Sequence, residues 1–255
     1  MKLGVVADVH GNLAALEAVV ADAETVGVDK WWALGDLVLF GPRPVETMQL
    51  LLSLPGVEFV RGNTDRYVVT GDQPHPHATP EDAVGDPDLV LRYGAMAAGI
   101  GWTRGVLVQA EMLDPLERLG DSVRAELPDG SRLLGVHASP GSDDGAGINS
   151  SRPDDFLRPL FAGCEADIVV GGHSHDPTDR WIDGMHLVNG GSVGLPRHAG
   201  HAGWLLIDAS DDAVEIARRE APFDVESVID ELHRRRQPNA DFIQGILRQA
   251  HDFAG

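Results

Sequence analysis

Apolar positions recur along this chain in two ways: short unbroken runs that suit buried strands, and wider spacings that suit one face of a helix. The run LGVVA predicts a strand over 2–8. Leu13, Leu16, Val19, Val20 and Ala23 then share one side of a helix from Leu13 to Glu24. WWAL marks a strand over Lys30–Leu34, and Pro42 and Pro44 break the chain before a helix around Val45–Leu52. Pro55-Gly56 stops that helix, and VEFV forms a strand over Val57–Val60. Repeated strand-then-helix units require parallel strands joined by right-handed crossovers.

Residues 70–88 carry Pro, Asp, Gly and His without periodicity and are expected to form a long loop, part of a cap spanning 67–105. Helical spacing returns at Asp88–Gly99 and Gln109–Leu119. The pattern then turns to hairpins. Ser122–Leu127 and Arg132–Val136 flank Pro128-Asp129-Gly130, Arg180–Ile182 and Met185–Val188 flank Asp183-Gly184, and Gly203–Ile207 and Ala213–Arg218 flank an Asp-rich turn. A helix over Pro153–Phe161 and a strand over Asp167–Val170 lie between them. Phe242, Ile243, Ile246 and Leu247 make 239–252 a docking helix; packing on its own domain is preferred over an oligomer contact. Parallel and antiparallel strands with helices outside predict one mixed α/β domain over 1–255, two packed sheets covered by helices.

The 43% hydrophobic content and 255 residues suffice for one sizeable core. No apolar run approaches bilayer length. The first strand begins too early to leave room for a removable signal peptide. The one cysteine, Cys164, excludes an internal disulfide and suits a reducing cytoplasm; it reads as a packing residue. A net charge of −20 disfavours nucleic acid as a partner, since backbone binding needs a basic surface. The basic run Arg234-Arg235-Arg236 sits in an acidic helical stretch, Asp224–Gln237, and reads as a solvated face. Trp31 and Trp32 read as core packing.

Candidate chemistry gathers at the strand ends. Asp8-Val9-His10, Gly35-Asp36, Gly62-Asn63, Gly135-Val136-His137 and Gly171-Gly172-His173-Ser174-His175 each follow an apolar run. One such cluster alone is an ordinary polar strand end or turn. All of them together, in this order, can converge on one rim and hold two cations side by side. Carboxylate, amide and imidazole ligands suit divalent manganese, iron, zinc or nickel, with manganese preferred. The glycines before Asp36, Asn63 and His173 are expected to permit tight turns. His75 and His77 in the Pro-rich loop read as solvated, and His198 and His201 stay open.

The series DVH, GD, GNTD, GVH and GHSH resembles the calcineurin-type metallophosphoesterases, over roughly residues 1–220. NGGSVGLPR at 189–197 is similar to a segment of their small bacterial phosphodiesterase branch. The resemblance implies a four-layer α-β-β-α sandwich with two divalent metal ions. Asp8, His10 and His175 would hold one ion, Asn63, His137 and His173 the other, and Asp36 would bridge them. It further implies hydrolysis of a small phosphoester, diester or monoester, by a metal-bridging hydroxide. The alternative it leaves open is a non-catalytic scaffold on the same fold; a nuclease fits the ligands and not the charge. Two departures matter. Thr64 stands where many members have a His that protonates the leaving oxygen, and a hydroxyl is no substitute at neutral pH. The motif after Asp36 lacks the Arg of protein phosphatases and diadenosine-tetraphosphate hydrolases. Among Arg43, Arg61, Arg66, Arg152 and Arg197, the last has the best case for meeting phosphate. Ser139–Ser150, rich in Gly and Asp, is expected to be mobile, and 67–105 with 140–155 to form a cap that selects substrates.

Overall fold

The computed structural model describes residues 1–74 and 84–249, so His75 and His77 lie outside the described residues. Two five-stranded sheets are stacked, the first ordered β10-β9-β1-β2-β3 and the second β4-β5-β6-β8-β7. In the first, β1 (Lys2–Val6), β2 (Lys30–Leu34) and β3 (Glu58–Val60) run parallel, and β9 (His201–Ala209) and β10 (Val214–Pro222) add an antiparallel flank. In the second, β5 (Arg132–Val136), β6 (Ile168–Gly171) and β8 (Met185–Asn189) are parallel, with β4 (Ser122–Glu126) and β7 (Thr178–Ile182) antiparallel at the edges.

Strand alternation explains the layering, because successive side chains point to opposite faces. Leu3, Val5, Trp32 and Leu34 pack between the sheets against Val123, Leu133, Ile168, Val170 and Val188. Their neighbours Val6, Trp31 and Ala33 turn outward to α1 (Leu13–Val26), α2 (Pro44–Ser53) and the other helices on that side. On the far face, Leu134, Val136, Val169 and Leu187 pack on Leu157 and Phe161 of α6 (Asp154–Phe161), with Cys164 buried beside them. Helices therefore cover both sheets, giving the expected four layers.

Two expectations need correction. The segment read as a strand end at Asn63 opens a helix, α3 (Asn63–Thr70), which left-handed Gly71 (φ 81°) ends. Its start is stabilised by Asp65, whose carboxylate accepts the Gly62 N–H at 2.9 Å. The two helices expected at Asp88–Gly99 and Gln109–Leu119 are instead a long α4 (Pro87–Gln109) and a short α5 (Leu113–Glu117). Gly99, Gly101 and Gly105 do not break α4, because Gly99, Ile100, Thr103 and Leu107 form its buried face. The C-terminal half of α4 thus belongs to the main core, while Leu91 near its start is 70% exposed. The tail helices α7 (Val225–Arg234) and α8 (Ala240–Gln249) bury Val228, Ile229, Leu232, Ile243 and Leu247 in that same core; residues 250–252 of the expected docking helix lie outside the described residues.

Candidate metal centre

Parallel pairing brings the carboxyl ends of β1, β2 and β3 to one edge, and those of β5 and β6 to the facing edge of the second sheet. Asp8 and His10 follow β1, Asp36 follows β2, Asn63 follows β3, His137 follows β5, and His173 and His175 follow β6. The turns are unusual. Asp8, His10, Asp36, His173 and His175 all adopt left-handed backbone, with φ of 54°, 52°, 55°, 66° and 53°. Side-chain-bearing residues rarely do so, and such strain persists where surrounding structure fixes it. Here the turns fix one another. Asp8 N–H donates to Gly35 O at 3.0 Å, His10 N–H to Asp36 O at 2.8 Å, and Gly172 N–H to His137 O at 2.9 Å.

Gly35 serves the turn role expected of it, whereas Gly62 and Gly172 serve differently. Gly35 is left-handed (φ 85°), but Gly62 and Gly172 are needed for room. A Cβ on Gly62 would lie 2.2 Å from Asp36 Oδ1, and one on Gly172 would lie 2.7 Å from Asp8 Oδ2. The strain sits on the ligand residues themselves.

The side chains converge. His10 Nε2 lies 3.1 Å from His175 Nε2 and 3.8 Å from Asp36 Oδ2; His175 Nε2 lies 3.5 Å from Asp8 Oδ1. His137 Nε2 lies 3.4 Å from Asp36 Oδ1 and 3.1 Å from Asn63 Oδ1, which in turn lies 3.0 Å from His173 Nδ1. Every imidazole has its other nitrogen on a carbonyl. His10, His137 and His175 donate Nδ1–H to Leu39, Leu34 and Leu195 at 3.1, 2.7 and 3.2 Å, and His173 donates Nε2–H to Gly145 at 2.9 Å. Carbonyls only accept, so the protons sit outside and the inward nitrogens present lone pairs. Lone pairs of nitrogen and oxygen then face each other at 3.0–3.5 Å with no proton between them. A divalent cation satisfies such an arrangement, and outward N–H bonds of this kind orient metal-binding histidines. Asp8, His10 and His175 form one group able to hold an ion, and Asp8, Asp36 and His137 a second.

The electrostatics favour positive charge. Burial is the largest influence on Asp8 and pushes its carboxyl up, yet His175, His137 and His10 outweigh it and keep the group ionised. Burial pulls His10 down to about 4. Burial also opposes protonation of His137 and His175, but Asp36 and Asp8 overcome it and raise both. The carboxylates that draw protons to these rings draw cations equally well.

Other sequence candidates lie nearby. Thr64 is buried and donates its N–H to Asp36 Oδ1 at 2.9 Å; its hydroxyl has no partner among the described residues. Arg197 pairs with Asp176 at 3.3 Å and is half exposed. Arg43 pairs with Glu46 and Glu231, and Arg152 stacks on Phe156 at 5.0 Å. Arg61 and Arg66 both bind Asp143. His198 and His201 stack on each other at 4.0 Å, with His198 on Glu220. Ser139–Ser150, expected to be mobile, is tied down instead. Arg66 and Arg61 grip Asp143, Tyr67 holds Asp144 at 2.9 Å, and Ile148 O accepts the Ser174 hydroxyl at 2.6 Å. Asp143 is held by Arg66 of α3 and by Arg61 just before it, which sequence reading did not foresee.

Sequence reading also missed the supports. Asp65 accepts N–H bonds from Asp36, Leu37 and Gly62, each at 2.9 Å, and so fixes two ligand turns. Burial and then Asp36 push its carboxyl up to about 7, against the N–H groups of Gly62 and Leu37 that favour the anion. Its place three residues after Gly62 is the signal that identifies it as a capping group. Asn189 donates to Gly172 O at 2.8 Å and to Ser174 Oγ at 2.9 Å, fastening the His173–His175 turn. Ser192 Oγ and Gly194 N donate to Asp8 O at 2.8 and 2.9 Å, so segment 189–197 braces the first ligand turn from behind.

This sandwich and rim of ligands define a metallophosphoesterase class of fold. The chain belongs to the calcineurin-like phosphoesterase superfamily, whose domain matches residues 1–212. It is 29% identical over 252 residues to an uncharacterized protein of Methanocaldococcus jannaschii, covering 92% of this chain and 93% of that one. The crystal structure of a metallophosphoesterase from Sphaerobacter thermophilus is 26% identical with a TM-score of 0.72, covering 98% of this chain and 99% of that one. A hypothetical protein from Pyrococcus horikoshii OT3 shares the fold, with a TM-score of 0.78 at 22% identity, covering 96% of this chain and 97% of that one. In general terms the chain is therefore a metal-dependent phosphoester hydrolase. No helix among the described residues is long and apolar enough to cross a membrane.

Proposed function

We propose that the protein hydrolyses a small phosphoester in the cytoplasm with two divalent cations, manganese preferred. Asp8, His10 and His175 would hold one, Asn63, His137 and His173 the other, with Asp36 shared. When bound, such a pair supplies a nucleophile from water at neutral pH and positive charge for the phosphoryl oxygens. The chain's own residues do the rest. The outward N–H bonds to Leu39, Leu34, Leu195 and Gly145 keep the imidazoles in one tautomer. The Thr64 N–H holds Asp36 Oδ1 in place. Thr64 offers no proton to a departing alkoxide, so this reading favours esters of acidic alcohols or phenols. Arg197, half exposed and paired with Asp176 through one nitrogen, is the arginine proposed to meet the phosphate.

The observation that carries the proposal is the 3.1 Å approach of His10 Nε2 and His175 Nε2 inside a carboxylate-rich rim, each ring with its Nδ1 on a carbonyl. Manganese-dependent hydrolysis of bis-p-nitrophenyl phosphate should fall by several orders of magnitude in Asp36→Ala and in His137→Ala. Full activity in both variants would falsify the assignment.

A further inference from the structure

The segment Asp143–Gly145 touches His173, one of the residues proposed for the second cation position. Gly145 O accepts Nε2–H of His173 at 2.9 Å, which turns Nδ1 inward. Asp144 Oδ2 accepts the Tyr67 hydroxyl at 2.9 Å, a second anchor for the segment. Asn63 Oδ1 faces inward, toward His137 and His173. Turning the amide over would aim N–H groups at the cation position in place of a ligand oxygen.

The segment is itself held by charge. Arg66 grips Asp143 with a two-pronged contact, 2.9 Å for each of two nitrogens, while Arg61 adds a 3.3 Å contact. The Arg66 guanidinium also lies 4.8 Å over the Tyr67 ring. Gly141, Gly145 and Gly147, with φ of 76°, 106° and 61°, give this stretch backbone joints that other residues rarely adopt. The first group is tied to it only through the His173 N–H on Asp8. His10 and His175 rest on Leu39 and Leu195, and among the described residues neither they nor Asp8 bond to 143–145.

We infer that Asp143–Gly145 is a clasp that orients His173 and so completes the Asn63–His137–His173 cation position, with Tyr67 and Arg66 as the residues that anchor it. This rests on the two-cation reading above and deepens it: the two positions fill in order, and only the second depends on the clasp.

The test is a manganese titration of the full chain, read by calorimetry and by the electron paramagnetic resonance signal of a spin-coupled pair. The wild type should take two ions. Tyr67→Phe and Arg66→Ala should keep first-ion affinity and bind the second roughly 10- to 100-fold more weakly, the usual loss when a ligand's outer partner is removed. In both, excess manganese should restore the coupled signal. Asp144→Asn, which still accepts from Tyr67, should retain more second-ion affinity than Asp144→Ala. Wild-type affinity for both ions in Tyr67→Phe and Arg66→Ala overturns the clasp and leaves the two-cation reading standing. Equal loss of both ions in those variants overturns it as well, since that marks a general structural role. A wild type that binds fewer than two ions sinks the clasp and the two-cation reading together.

Discussion

Asp8, His10, Asp36, His173 and His175 hold left-handed backbone at a cost on the order of 1 kcal/mol or more each. That cost is offset by hydrogen bonds between turns and by carboxylates that accept backbone N–H groups, as Asp65 does from three donors. Room is as critical as conformation. Gly62 lies so close to Asp36 that an added methyl would meet its backbone nitrogen at 2.2 Å, whereas a methyl on Gly120 would meet only one atom, at 3.9 Å. Gly62→Ala should therefore weaken manganese binding at least tenfold and lower the melting temperature, with Gly120→Ala close to wild type in both. Calorimetric titration beside a thermal melt decides this; equal behaviour of the two variants would refute the packing argument. At this scale the residues that converge on the rim were legible in the sequence, because hard ligand types after apolar runs are informative even before folding. Asp65, Tyr67 and Asn189 were not, because their roles consist of hydrogen bonds to partners made adjacent only by the fold.

Among the elements, α4 gives the sharpest contrast between residue preference and packing. Glycine costs a helix about 0.5–1 kcal/mol relative to alanine. Three glycines late in α4 therefore read as a helix end, yet the helix runs on to Gln109. Its buried face, anchored by Ile100 and Leu107, outweighs the local preference. Gly99 has a reason to be glycine: a Cβ there would collide with Asn239 Oδ1, which belongs to a residue bonded to Ala95 O. Gly101 and Gly105 have open space around them. Gly99→Ala should destabilise the protein by about 1–3 kcal/mol through overpacking. Gly101→Ala should stabilise it by about 0.5–1 kcal/mol through helix preference. Urea unfolding of both separates these opposite signs, and a stabilised Gly99→Ala would contradict the collision. Strand positions were the most legible elements, since β2 and β5 match their expected ranges residue for residue. The start of α3 was hidden because its first residue, Asn63, read as a candidate ligand at a strand end and few apolar residues follow.

For the molecule as a whole, charge fastens the C-terminal helices to the rest. Glu231 of α7 binds Arg43 at 3.0 Å, and Arg235 binds Glu46 of α2 at 2.7 Å. Burial pushes the Glu231 carboxyl up, but Arg234, Arg235 and Arg43 outweigh it and bring it down from 4.5 to about 2. A carboxyl depressed in the folded state contributes stability above its unfolded value. That contribution fades as pH falls from about 4.5 toward 2. Melting temperatures of wild type and Glu231→Gln should therefore differ by a few degrees at pH 6 and converge near pH 2. A gap of the same size at both values would rule out this linkage.

By itself the sequence determined the class of chemistry, the strands that carry it and the covering of two sheets by helices. Each of these depends on residue type and on periods of two or three to four, which are local properties. Tertiary structure alone decided the rest: that β9 and β10 complete the first sheet, that segment 189–197 braces Asp8, and that Arg61 and Arg66 hold Asp143. Those outcomes depend on distances between residues far apart in the chain, set by how the two sheets pack face to face.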